Sequence, residues 1–87
     1  MSDVENARAK LAMAAQKLDT AGGNISVAMD EIEGAKAMAM DAAEGGSGAA
    51  NIQEAVGMMA QAEADCETAR QAVFGARNNA EEVANRL

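Results

Sequence analysis

Residues 4–42 read VENARAKLAMAAQKLDTAGGNISVAMDEIEGAKAMAMDA. Counting by seven from Val4 gives Leu11, Leu18, Ile25, Ile32 and Ala39, and three positions further on stand Ala7, Ala14, Ala21, Ala28, Ala35 and Ala42. A lane of large residues beside a lane of alanines, held this long, predicts a helix that lies against a partner helix in a coiled coil. The plan repeats later in the chain: Ile52, Met59, Cys66, Val73, Ala80 and Leu87 recur by sevens, with Ala55, Ala62, Ala69, Ala76 and Val83 three positions on.

Between the two runs, Glu44-Gly45-Gly46-Ser47-Gly48 has three glycines within five residues, which ends one helix. Asn51, with Glu54 three residues later, has the spacing of a capping box and is expected to start the next helix. The expected layout is therefore a single helical-hairpin domain: helix 3–43, turn 44–51, helix 52–86. Ser2 or Asp3 caps the first helix, and Asp3 and Glu5 suit the positive end of its dipole. Gly22-Gly23 reads locally as a helix stop, yet the sevenfold phase passes through it unaltered. The pair is read as a bent point on the outer flank of one long helix, with a split at residues 22–24 as the alternative.

Folding the halves antiparallel, with Ala42 facing Ile52, pairs Ile32 with Ala62, Ala28 with Cys66 and Leu18 with Ala76. Most layers then set a large residue against an alanine, which lets backbones approach closely. Helices of roughly 38 residues make a rod about 57 Å long. Lys36 with Glu63 and Asp3 with Arg86 are candidate ion pairs across the seam. Met13, Val27, Met29, Met40, Val56, Met58, Ala60 and Phe74 fall outside it and suggest a further contact, most simply a second hairpin completing a four-helix bundle. The fold class is all-α: a long antiparallel two-helix coiled-coil hairpin with an alanine-rich seam, dimerising into that bundle.

Composition agrees. The 87 residues contain no Pro, Trp, Tyr or His and one Phe, and helix formers dominate. Fourteen acidic against seven basic residues give a net charge of -7, which repels nucleic acid and anionic lipid. No apolar run approaches the length of a membrane span, and Met1-Ser2-Asp3-Val4-Glu5 lacks the basic and apolar parts of a signal peptide. The expectation is a cytoplasmic protein, or one exported without a conventional leader.

Parts for catalysis are missing. Inward glutamates in a bundle can hold two metals, but that site needs histidines and the chain has none. Glu54, Glu63, Asp65, Glu67, Asp30, Glu31 and Glu33 read as a solvated face. Cys66 sits in the large lane without a basic neighbour and reads as small apolar filler. The glycine-rich turn lacks the Gly-Lys-Ser/Thr ending of a phosphate loop. No catalytic residue, cofactor or metal site is expected, and the chain reads as a non-enzyme. Met38, Met40, Met58 and Met59 cluster near the turn and read first as bundle core, second as an adaptable docking patch; Phe74 is the other candidate for partner binding.

Two long helices with a short glycine-containing connection, in an acidic chain of under a hundred residues, resemble in shape the WXG-type small secreted helical hairpins of Gram-positive bacteria. The turn carries no Trp-x-Gly, and the C-terminal tail carries no Tyr-x-x-x-Asp/Glu, so no site residue transfers. The resemblance implies a substrate, adaptor or chaperone-like partner of a specialised secretion system. Two readings come from the residues themselves. The leading one is a non-catalytic interaction or assembly protein acting as a homodimer, with another protein as a further partner. The other is a small RNA-binding bundle, which also uses heptads with alanine in one lane; the charge of -7, with Arg8, Lys10, Lys17, Arg70 and Arg77 interspersed among acids, argues against it.

Overall fold

A computed structural model describes residues 2–46 and 48–87; Ser47, counted above within the turn, lies outside them. Two helices account for nearly all of it, α1 (Asp3–Glu44) and α2 (Ala49–Arg86), packed side by side in a rod of 67 × 14 × 12 Å. Its radius of gyration is 19.6 Å, against about 12 Å for a compact chain of this length. The rod is longer than the expected 57 Å because α1, at 42 residues, alone spans about 63 Å and the turn extends beyond it.

Ser2 caps α1: its Oγ accepts a hydrogen bond from the Glu5 backbone N–H at 3.1 Å. The turn is shorter than expected. Gly45 remains in the right-handed region and donates to the Ala42 carbonyl at 3.2 Å, and Gly46 (φ 83°) and Gly48 (φ 68°) take left-handed conformations that favour glycine. Asn51 is not the N-cap. Gly48 occupies that place without a side-chain bond, because Ala49 and Ala50 are strong helix formers and carry the helix three residues earlier.

α1 is unbroken through Gly22-Gly23. Gly22, however, is not on the outer flank. It is buried against α2, and a Cβ built on it would meet the Phe74 ring at 3.5 Å. The glycine makes room for the one aromatic ring, while Gly23 faces open space. The Ser26 hydroxyl donates to the Gly22 carbonyl at 3.2 Å, giving that soft point a second hydrogen bond.

The large lane is placed as the heptads predicted except at its ends: Leu11, Leu18, Ile25, Ile32 and Ala39 of α1 and Ile52, Met59, Cys66, Val73 and Ala80 of α2 are half-buried, while Val4 and Leu87 are exposed. Its companion lane holds in part. Ala7, Ala14, Ala21, Ala28, Ala55, Ala62 and Val83 are half-buried, Ala35, Ala42, Ala69 and Ala76 are exposed, and the seam also takes in the next residue along. That mixed lane is Ala15, Gly22, Met29, Lys36 and Ala43 in α1, and Val56, Glu63, Arg70, Arg77 and Ala84 in α2. Met29 and Val56 therefore belong to the seam rather than to an outer surface. Ala15 and Gly22 are the buried residues of the two helices, and among the described residues no large side chain is fully buried.

The register differs too. The pairing drawn from loop length would set Ala72 opposite Gly22 and Met58 opposite Lys36; Phe74 and Glu63 stand there instead.

Candidate interaction surface

In an antiparallel pair, lanes at equivalent heptad positions meet on the same side of the seam. The mixed lanes of α1 and α2 consequently share one broad face of the rod, and the alanine lanes share the opposite one. The two faces differ in chemistry.

The mixed-lane face is closed by ions. Lys36 Nζ lies 2.6 Å from Glu63 Oε1 across the seam and 3.0 Å from Glu33 on its own helix. Arg77 Nε lies 2.8 Å from Asp19 Oδ1 across the seam, with its Nη2 3.2 Å from Glu81. Arg70 grips Glu67 with two hydrogen bonds of 2.9 and 2.8 Å, and its guanidinium stands 5.8 Å from the centre of the Phe74 ring. The Lys36–Glu63 pair matches expectation. Asp3 and Arg86 form no pair among the described residues; Arg86 turns to Glu82 on its own helix at 3.9 Å.

These contacts shift proton affinities. Lys36 is raised above its ordinary value, by its bond to Glu63 first and to Glu33 second. Glu67 is lowered, chiefly by the hydrogen bonds from Arg70. Glu63 Oε1 and Arg77 Nε are shielded from solvent, and the opposing ion is what each has in place of water. Next to these pairs, Ala12, Ala15, Asp19, Glu81, Ala84 and Asn85 line a shallow groove on the same face.

The alanine-lane face carries no cross-helix ion pair among the described residues. The most exposed large apolar side chains among the described residues border it: Met38 (76% exposed), Met58 (71%), Met13 (59%) and Val27 (57%). Two of them, Met13 and Val27, lie far from the turn.

The five residues expected to bind a partner do not form one site. Met59 is half-buried in the seam. Phe74 is 39% exposed, seated on Gly22 in the middle of the rod and away from the methionine cluster. Met40 is exposed on the mixed-lane flank, whereas Met38 and Met58 are exposed on the alanine side. No three metal-binding side chains converge among the described residues, and no described helix is long and apolar enough to cross a membrane. Comparison with known protein families, with characterised proteins and with solved structures finds no match in any of the three.

Proposed function

We propose that this chain is a non-catalytic helical interaction or assembly protein that works as a homo-oligomer. One observation carries the reading. The rod exposes 5938 Å², whereas a compact monomer of 8.9 kDa exposes about 4,800 Å², leaving roughly 1,100 Å² in excess. That excess is of the size one partner buries in a standard interface, about 800 Å². A rod whose helices bury only small residues gains most by covering its open face.

Light scattering at tens of micromolar tests this: the expected mass is about twice 8.9 kDa, and a monomer with full helicity contradicts it. A second reading, as substrate or adaptor of a specialised secretion system, is supported by the hairpin of two long helices. It predicts the protein in culture filtrate with its N-terminus uncleaved, and cell-bound protein alone retires it. An RNA-binding role is the least supported, and a gel shift with structured RNA at low salt decides it.

A further inference from the structure

We propose that a second copy of this chain seats on the alanine face in antiparallel orientation, about a two-fold axis that crosses the rod at Asn24 and Ala72. The proposal rests on the homo-oligomeric reading and adds to it a face, an orientation and a register.

The face follows from the asymmetry of the rod. Its mixed-lane side is occupied by cross-helix ion pairs, and covering them would strip water from charges already matched within the chain. The alanine side presents small residues at its centre and methionines at its margins, and it offers a footprint of about 67 by 14 Å, roughly 900 Å² per copy.

The orientation follows from charge. Along the crest of this face run the residues that immediately precede the large lane, all exposed. On α1 they are Asp3, Lys10, Lys17, Asn24, Glu31 and Met38. After Asp3 at the very end, the row is basic at Lys10 and Lys17, neutral at Asn24 and acidic at Glu31. On α2 the same row places Arg86 at the terminal end and Asp65 toward the turn, with Ala72 in the middle. The contacts of Gly22 with Phe74 and of Asp19 with Arg77 bring Asn24 and Ala72 to the same height on the rod.

A two-fold axis through that height lays α1 on α1 of the second copy and sets Lys17 opposite Glu31. It also lays the stem of Lys10 over Met38, and Met58 over the stem of Arg86. A parallel copy would instead lay α1 on α2 and bring Lys10 to Arg86 and Glu31 to Asp65, like against like. Lys10, Lys17 and Glu31 make no ion pair within the chain among the described residues, so their charges are free to meet those of a partner.

Charge exchange tests the arrangement in the full chain, read by sedimentation equilibrium with helicity followed alongside. Lys17→Glu and Glu31→Lys each set two like-charged pairs across the two-fold and are expected to weaken association about tenfold or more. The double substitution Lys17→Glu/Glu31→Lys, and an equimolar mixture of the two single variants, are both expected to restore it. Ala72→Glu puts two carboxylates side by side at the axis and abolishes the dimer, whereas Ala60→Glu on the opposite side leaves it intact. A wild-type monomer overturns the homo-oligomeric reading itself. A wild-type dimer indifferent to Lys17→Glu and Ala72→Glu overturns the proposed face alone. Loss of the dimer in both single variants without rescue in the double overturns the antiparallel orientation.

Discussion

Gly22 shows how one missing side chain organises the middle of this rod. A Cβ there meets the Phe74 ring at ordinary contact distance, 3.5 Å, so Gly22→Ala is expected to fit and to raise stability by up to about 1 kcal/mol through helix propensity. Gly22→Leu pushes into the ring and is expected to cost about 1–3 kcal/mol. Urea denaturation of the two variants checks this, and equal stabilisation by both would mean that the ring does not sit there. Lys36 gives a prediction in pH. Its raised proton affinity means that its contribution is fully present below the ordinary lysine range and is lost as pH rises through the raised value. Thermal melts of wild type and Lys36→Met should differ in favour of wild type at neutral pH and converge at strongly alkaline pH. A constant difference across that range would assign the effect to packing of the lysine stem.

At the scale of the helix, continuity through Gly22-Gly23 comes from tertiary packing that outweighs a poor local propensity. Gly23 and Gly57 face open space on the outer surface, so Gly23→Ala and Gly57→Ala should each add about 1 kcal/mol, as seen in denaturant midpoints. Gly48, at φ 68°, should respond oppositely: Gly48→Ala is expected to cost about 1–2 kcal/mol. The helices and the large lane were legible because period and propensity agree over many turns. The companion lane was legible in part. A straight α-helix drifts against a strict repeat of seven, so toward the turn end of α1 the half-buried stripe moves one residue on, from Ala35 to Lys36 and from Ala42 to Ala43. In that stripe Lys36 and Glu63 keep only 23% and 20% of their side chains exposed, their stems covering the seam while their charges pair. Apolar counting passes over such residues. The start of α2 lies ahead of the capping signal at Asn51 because Ala49 and Ala50, both strong helix formers, carry the helix back to Gly48.

For the whole molecule, thinness is the controlling fact. An unfolded chain of this mass exposes about 12,900 Å², so folding to 5938 Å² removes only about 54%, less than the roughly 60% of a 60-residue domain. The candidate binding residues dispersed for the same reason: in a rod with so little interior, each exposed apolar group falls on whichever face its heptad position dictates. The two faces differ in the same way, one carrying the cross-helix ion pairs and the other, in the proposed assembly, taking a second rod. Orientation of that second rod is most directly read as a distance between copies. A single spin label at residue 9, in a Cys66→Ala chain of unchanged helicity, should give a separation near 45 Å, twice the rise from residue 9 to residue 24. A separation below about 20 Å, which a parallel pair requires, would contradict the account.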